Sequence, residues 1–196
     1  MIEITTKAYT FNELSKEAQA TVIDNNRDFN TEYFDWYEDD YIYHKEQLEK
    51  AGFTDIDISF SGFSSQGDGA SFTGKVCDLV VLNKAWKLGL KDSQAKVIQD
   101  YATITLDRVN HHYVHSNTVS VNIEYYHHGQ DTPRLDELLN KLEKNLDELV
   151  KDYADTIYSD LGKTYDGMTS DEAIAESIEA NELLFSEDGR QTVHLR

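Results

Sequence analysis

The sequence has few of the residues that cross-link or interrupt a chain. Its 196 residues include one cysteine, Cys77, and one proline, Pro133. A lone cysteine cannot form an internal disulfide or a cysteine-built zinc site, which indicates a reducing compartment. No apolar run approaches the roughly 18 residues of a membrane span, and no basic-then-apolar leader is present. These absences predict a soluble cytoplasmic protein that does not bind a membrane.

Catalytic motifs are also missing. The chain has no Gly-x-Ser-x-Gly elbow, and no pair of carboxylates stands out among its 37 Asp and Glu residues. Several histidines lie around a predicted turn at Ser116-Asn117, where pairing of the flanking strands places His111 opposite Asn122. Histidines spread along such a hairpin are too far apart to share one metal ion. The sequence therefore predicts a non-enzymatic protein without catalytic residues, cofactor or metal site.

Negative charge is what the chain has in excess. The net charge is −19, and residues 11–57 hold thirteen acids against four bases. Residues 131–188 hold seventeen against five, whereas residues 58–130 hold six of each. Such a surface repels nucleic acid and attracts basic proteins, including those that grip phosphates. We therefore predict a basic protein partner and no direct binding of nucleic acid.

Alternation of apolar and polar residues predicts a central antiparallel sheet. Period-two patterns at 56–63 and 70–76 indicate one hairpin, and those at 102–109 and 118–126 indicate a second. A weak edge strand is predicted within residues 2–9. A small hairpin is predicted in the tail at 183–195.

Helical spacing predicts acidic helices on both sides of that sheet. Residues 11–50 read as a helical hairpin or one broken helix, and two short helices are expected near 85–90 and 92–99. The longest helix runs from Thr132-Pro133 to Leu161, with Gly162 as its end, and its leucine stripe either covers the sheet or forms a homodimer seam. Thr169-Ser170-Asp171-Glu172 is a capping-type start for a final helix through Asn181. The prediction is one α+β domain over 1–196, monomeric or homodimeric, with the helices packed on one face of the sheet.

One row of carboxylates is the first candidate interaction site. Asp24, Asp28, Glu32, Asp35 and Asp39 are separated by four, four, three and four residues, so a continuous helix would align them. Aromatic residues that can anchor a protein interface stand beside this row. They include Tyr33, Trp36 and Tyr37. The alternative is a solvated face that only keeps the protein soluble.

A glycine-rich segment is the second candidate. It consists of Ser64, Ser65, Gln66, Gly67, Asp68 and Gly69. Its backbone can form a nest for an anion, or Asp68 can face a metal ion. Gly-Asp-Gly is also ordinary turn chemistry, and this structural interpretation is favoured.

Three segments together resemble a family of small uncharacterised bacteriophage proteins. They are residues 9–18 (YTFNELSKEA), residues 60–72 (FSGFSSQGDGASF) and the stretch that opens with residues 169–173 (TSDEA). The resemblance implies a phage product acting inside a bacterial cell, and it supplies no activity and no site residues.

The charge and the resemblance together predict an inhibitor of a basic, nucleic-acid-binding host protein, such as a defence nuclease, a CRISPR or restriction effector, or a transcription protein. It would act through carboxylates and aromatic rings, as a nucleic-acid mimic. The alternative is a small-molecule- or metal-binding protein or enzyme that uses the 62–72 loop.

Overall fold

The computed structural model describes residues 7–32, 35–109, 113–126 and 133–190. The chain divides into two compact units. Unit 1 combines Met1–Tyr37 with Lys163–Arg196, and unit 2 is Glu38–Gly162. The prediction of one domain over 1–196 stays a prediction.

Strands and helices are both well represented in the described residues, which confirms the α+β class. The strands are β1 (Tyr9–Thr10), β2 (Phe53–Phe60), β3 (Ala70–Val76), β4 (Ala102–Arg108), β5 (Val119–Tyr125) and β6 (Leu184–Phe185). The helices are α1 (Lys16–Asn25), α2 (Glu38–Ala51), α3 (Leu79–Trp86), α4 (Asp92–Tyr101), α5 (Pro133–Met168) and α6 (Asp171–Ala180).

Unit 2 contains the predicted antiparallel sheet, with strand order β2-β3-β4-β5. Both predicted hairpins are confirmed, since β2 pairs with β3 and β4 pairs with β5. The predicted register of the second hairpin is wrong, because Asn122 lies opposite Thr105 rather than His111. Pairing stops where the Val109 N–H donates to the Thr118 carbonyl, and a longer connection replaces the two-residue turn. His111 itself lies outside the described residues.

The core of unit 2 lies where aromatic rings from three helices meet the sheet. Phe53 on β2 and Phe72 on β3 are each 1% exposed, and their rings are 5.9 Å apart. Trp86 of α3 contacts Phe53, and Tyr153 of α5 contacts Phe72. The rest of the α5 stripe is buried at Leu142, Leu146, Val150, Ala154, Ile157 and Leu161. The leucine stripe therefore serves the core of the chain, as one of its two interpretations predicted.

Two predicted helix boundaries are wrong. Gly162 does not end α5, which continues to Met168. One glycine inside a helix costs only about 1 kcal/mol, which a helix buried along its length tolerates. Helix α3 begins at Leu79 rather than near Ala85, because the Asp78 carboxylate accepts the Val81 N–H at 2.9 Å and caps the helix.

Unit 1 has its own small core. It is formed by α1, α6 and the two-stranded sheet in which Tyr9 of β1 pairs with Phe185 of β6. Its buried side chains include Phe11, Leu14, Val22, Ile174, Ile178 and Phe185. The predicted start of α6 is confirmed, since the Ser170 hydroxyl accepts the Ala173 N–H at 3.2 Å. The predicted tail hairpin stays a prediction, because β6 pairs with β1 and the second predicted strand is not described. Residues 191–195 of that prediction lie outside the described residues.

Gly69 offers a test of the packing around the glycine-rich loop. A Cβ at this position would lie 2.6 Å from His115 Cβ and 2.8 Å from His115 Cα, so the backbones must separate to admit it. We expect Gly69→Ala to lower the free energy of unfolding by about 1–3 kcal/mol, measured by urea denaturation. The matched control is Gly162→Ala in α5, where the new methyl would meet the Phe63 ring at an ordinary 3.7 Å. It should stabilise by up to about 1 kcal/mol. Equal stability of the two variants would contradict this packing.

Candidate functional site

The predicted row of five carboxylates does not form on one helix. Helix α1 ends just after Asp24, and Asp28 and Glu32 lie in turns that follow it. Asp35 lies between the helices, and Asp39 belongs to α2 and thus to unit 2. The side chain of Asn26 donates to the Val22 carbonyl at 2.7 Å and satisfies the end of α1. The asparagines at residues 25–26 therefore end α1 too early for the five carboxylates to share one helix.

The aromatic residues beside the row are largely used inside unit 1. Trp36 is half-buried, and its ring lies 5.7 Å from Tyr37 and 5.6 Å from Tyr165. Tyr37 is also half-buried, and its hydroxyl donates to Asp35 at 3.2 Å. The predicted Tyr33 lies outside the described residues. Trp36 and Tyr37 thus contribute first to local packing, and only their remaining exposed surface is open to a partner.

Arg27 neutralises one member of the row. Its guanidinium contacts the carboxylates of Asp24 and Asp171 and donates to the Thr169 carbonyl at 3.1 Å. The hydrogen bonds that Arg27 donates to Asp171 and then to Asp24 raise the pKa of Arg27. This cluster joins the end of α1 to the start of α6, and Asn30 makes a second link by donating to the Met168 carbonyl at 2.9 Å. Residues 24–32 therefore lie beside the junction of α5 and α6.

A second acidic row, on α6, was missed at the sequence level. Ile174 and Ile178 face the core, whereas Glu172, Glu176 and Glu179 are exposed. We call these three glutamates the α6 acidic face. Helix α6 has four acids and no Lys or Arg. The described part of unit 1 holds fourteen acids and five bases, against twenty-one and twelve in the described part of unit 2, which is about twice as long. The available signal was the helical spacing of Glu172, Glu176 and Glu179, which puts them away from the apolar side with Ile174 and Ile178.

The glycine-rich loop is held by its own carboxylate. Asp68 Oδ2 accepts the N–H groups of Ser64 and Ser65 at 3.0 and 2.7 Å. Ser64, Ser65, Gln66 and Gly67 are exposed, and Gly69 is buried against His115. The Phe63 ring stacks on Tyr158 at 5.3 Å, and the Tyr158 hydroxyl donates to the Gly62 carbonyl. These contacts favour the structural interpretation of the loop, because Asp68 closes the turn.

Unit 2 contains a groove between α2 and α5 that the sequence did not reveal. We call it the α2–α5 groove; its volume is about 410 Å³. Residues of α2, α3 and α5 line it, and those used below are Tyr43, His44, Trp86, Tyr153, Thr156 and Asp160. His44 is 1% exposed, and its Nδ1 lies 3.3 Å from the Tyr153 hydroxyl. His44 falls three residues after Tyr41 and four before the buried Leu48 on the same helix, so helical spacing alone could have indicated its burial.

Burial and two nearby carboxylates have opposite effects on the pKa of His44. Its buried Nε2 makes no hydrogen bond and lies 3.5 Å from Asp160 Oδ2. Burial lowers the pKa of His44, and the charges of Asp160 and Asp40 oppose this without overcoming it. Burial also raises the pKa of Tyr153 to about 12, with smaller contributions from Tyr43 and Asp160. Near neutral pH the floor of the groove is therefore a neutral imidazole beside a neutral phenol.

The described residues contain neither a cluster of metal-binding side chains nor a helix that could span a membrane. No group of three His, Cys, Asp or Glu side chains there is arranged to hold a metal ion. None of the described helices combines the length and the apolar composition that crossing a bilayer requires.

Comparison with protein families gives one match. The model of a domain of unknown function (DUF8835) matches residues 36–171, which is more than half of the chain. The chain belongs to this family. The matched region includes all of unit 2, with the glycine-rich loop and the α2–α5 groove, and stops just before Glu172. Comparison with curated proteins and with solved structures gives no match. The DUF8835 description names no activity, so the bacteriophage resemblance stays a prediction.

Asp68 provides a test of the loop within the DUF8835 region. Removing its carboxylate in Asp68→Ala leaves two backbone N–H groups without their acceptor, and we expect a loss of about 1 kcal/mol in the free energy of unfolding. Asp68→Asn keeps a carbonyl acceptor and should lose less. Thermal melting with and without divalent cations tests the opposite possibility, that the loop binds a metal ion. A cation that stabilises the wild type but not Asp68→Asn would establish a ligand role for the loop.

His44 predicts a pH dependence of stability. Because its pKa is lowered on folding, the unfolded chain takes up more protons between the lowered value and the ordinary value of about 6.5. The stability from the neutral buried His44 is therefore complete above that ordinary value and is lost as the pH falls below it. Urea unfolding should show a steeper loss between about pH 7 and about pH 5 for the wild type than for His44→Gln. A His44 ring that titrates above its ordinary pKa, observed by NMR, would contradict this.

Proposed function

We propose that this chain is a non-enzymatic, acidic bacteriophage protein that binds and inhibits a basic, nucleic-acid-binding protein in the cytoplasm of the bacterial host. The observation that carries the proposal is the excess of negative charge in unit 1, where fourteen described acids stand against five bases. The family assignment is compatible with the proposal and adds no activity to it.

The proposed binding surface differs from the one that the sequence predicted. It combines the α6 acidic face with Asp28 and Glu32, which are exposed in the neighbouring turns. The contacts of Arg27 and Asn30 hold those turns next to the start of α6. We call these five carboxylates the unit 1 acidic surface. Asp24 is excluded, because Arg27 already binds it.

The spacing of the α6 acidic face suits a polynucleotide mimic. Glu172 to Glu176 spans about 6 Å along the helix axis, and Glu176 to Glu179 spans about 4.5 Å. Phosphates of one DNA strand rise by about 3.4 Å per nucleotide, so each interval corresponds to between one and two nucleotides. A basic groove that binds phosphates can meet these carboxylates at similar intervals.

Single exposed ion pairs contribute only about 0–1 kcal/mol each, so binding through this surface requires several of them together. A set of like charges on one unit also attracts an oppositely charged protein from a distance, and salt screens this attraction beyond about 8 Å at physiological ionic strength. The proposal therefore predicts fast, salt-sensitive association and competition with nucleic acid.

The alternative use of the 62–72 loop as a ligand site has less support. Its one carboxylate, Asp68, is occupied by two backbone N–H groups. A ligand that needs Asp68 would have to replace both hydrogen bonds.

The test is capture of basic proteins from bacterial lysate by the immobilised full chain. We expect capture at about 50 mM salt, loss of most of it at about 500 mM, and displacement of the captured protein by double-stranded DNA. The variant Glu172→Gln/Glu176→Gln/Glu179→Gln should reduce affinity for the captured protein roughly tenfold.

A matched control removes three charges from unit 2 instead, in Glu49→Gln/Glu137→Gln/Glu148→Gln. All three of these glutamates are exposed, so the net charge changes equally while the unit 1 acidic surface stays intact. The control should bind within roughly twofold of wild type. The proposal fails if no basic protein is captured at low salt, or if both triple variants lose affinity equally.

A further inference from the structure

A second hollow, with a volume of about 320 Å³, adjoins the α2–α5 groove. The lining residues common to both are Ala85, Trp86, Tyr153 and Thr156. The groove itself, at about 410 Å³, lies within the range of roughly 300–1,000 Å³ that small-ligand sites occupy. All lining residues belong to unit 2 and to the region matched by the family. The groove and the second hollow together have room for a ligand with two parts.

The aromatic rings of the groove differ in how far they are already packed. Trp86 contacts Phe53 at 5.1 Å and stacks on Tyr153 at 5.8 Å, and Tyr153 also contacts His44. Tyr43 meets His44 in a T-shaped contact at 5.1 Å, and it is 55% exposed. The first two rings therefore form a fixed apolar wall, and Tyr43 has open ring surface on which a planar ligand can stack.

The charged side chains that line the groove already have partners. Lys50 is paired with Glu46 at 3.2 Å. Asp160 lies 3.5 Å from His44 and has a further partner. A neutral ligand enters such a groove without leaving a charge unpaired. A phosphate group would also meet the repulsive field of a chain with a net charge of −19.

Gln47 supplies a directional hydrogen-bonding group. It lines the groove one turn after Tyr43, so the two side chains are neighbours on one face of α2. Its amide has one acceptor oxygen and two donor hydrogens, and no described residue forms a hydrogen bond with it. Such an amide pairs with a base edge that presents a donor beside an acceptor, as adenine does with N6 and N7. A base stacked on Tyr43 has its edge within reach of Gln47.

The second hollow offers groups that suit a sugar. Asp152 lines it, is exposed, and lies one turn before Thr156 on α5. The Thr156 hydroxyl donates to the Asp152 carbonyl at 3.0 Å, and its lone pairs still accept. A carboxylate that accepts ribose hydroxyls is the device that dinucleotide-binding folds use. Lys87 also lines this hollow, so its acid and base balance.

We propose that the α2–α5 groove and the second hollow together bind a neutral purine nucleoside, with the base stacked on Tyr43 and hydrogen-bonded to Gln47, and the ribose hydroxyls donating to Asp152. A purine is favoured over a pyrimidine because its fused rings give the larger stacking area. The site does not rest on the proposed function, because the unit 1 acidic surface takes no part in it.

The site is tested by titrating adenosine into the full chain and following the NMR spectrum. We expect saturable shifts around the groove with a Kd of about 1 mM. Purine riboside lacks the 6-amino donor, and 2′,3′-dideoxyadenosine lacks the ribose hydroxyls, so each should bind roughly tenfold more weakly. No saturable shift with adenosine, or binding of both analogues as tight as that of adenosine, would overturn the site. Tighter binding of adenosine 5′-monophosphate than of adenosine would overturn the assignment to a neutral ligand.

Matched pairs of variants localise the base. Gln47→Ala and Tyr43→Ala should each weaken adenosine roughly tenfold. Gln66→Ala and Tyr126→Ala make the same changes at exposed positions outside both linings and should stay within roughly twofold. Thermal melting verifies that all four variants fold. Equal effects of the groove variants and their controls would overturn the assignment to the groove.

A third pair localises the ribose. Asp152→Asn should weaken adenosine roughly tenfold and leave 2′,3′-dideoxyadenosine within roughly twofold, because only adenosine has the hydroxyls that donate to the carboxylate. Asp155→Asn makes the same change of charge at an exposed position outside both linings and should leave both probes unaffected. Equal weakening of the two probes by Asp152→Asn would overturn the assignment of the ribose to the second hollow.

Discussion

Tyr153 is the residue through which the layers of unit 2 meet. Its ring lies 5.9 Å from Phe72 of the sheet, 5.8 Å from Trp86 of α3 and 5.7 Å from His44 of α2. Aromatic pairs contribute about 0.5–1.5 kcal/mol each beyond the area they bury, so three pairs on one side chain constrain the spacing of these helices strongly. The same Tyr153, Trp86 and His44 side chains line the α2–α5 groove.

The parts of the fold that follow from repetition could be predicted from the sequence, and those that depend on one local choice could not. Alternation located both hairpins of the central sheet, and the leucine spacing located α5. The wrong helix boundaries lie at single residues that can either end a helix or stand inside one. Asn26 ends α1 by binding Val22, whereas Gly162 lets α5 continue. Which use a residue takes depends on tertiary packing that a single sequence does not contain.

The candidate sites show the same division. The excess of acids was evident, but its placement required the helix boundaries. Residues 24–39 do not form one helix, and the exposed glutamates of the α6 acidic face were not predicted. Burial of His44 was within reach of a spacing argument, since it shares a helix side with Leu48. Its approach to Asp160 joins residues far apart in sequence, and only the fold brings those two together.

The pairing of β1 with β6 has a consequence for biosynthesis. Tyr9 pairs with Phe185 although they are far apart in the sequence, and the strands and helices of unit 2 lie between them along the chain. A ribosome synthesises Glu38–Gly162 before α6 and β6, so unit 1 lacks half of its core until those last elements have been made. The nascent chain therefore carries the apolar side chains of Phe11, Leu14 and Val22 without their packing partners until α6 and β6 have been made. Aggregation or chaperone binding at that stage would act on unit 1 rather than on the sheet.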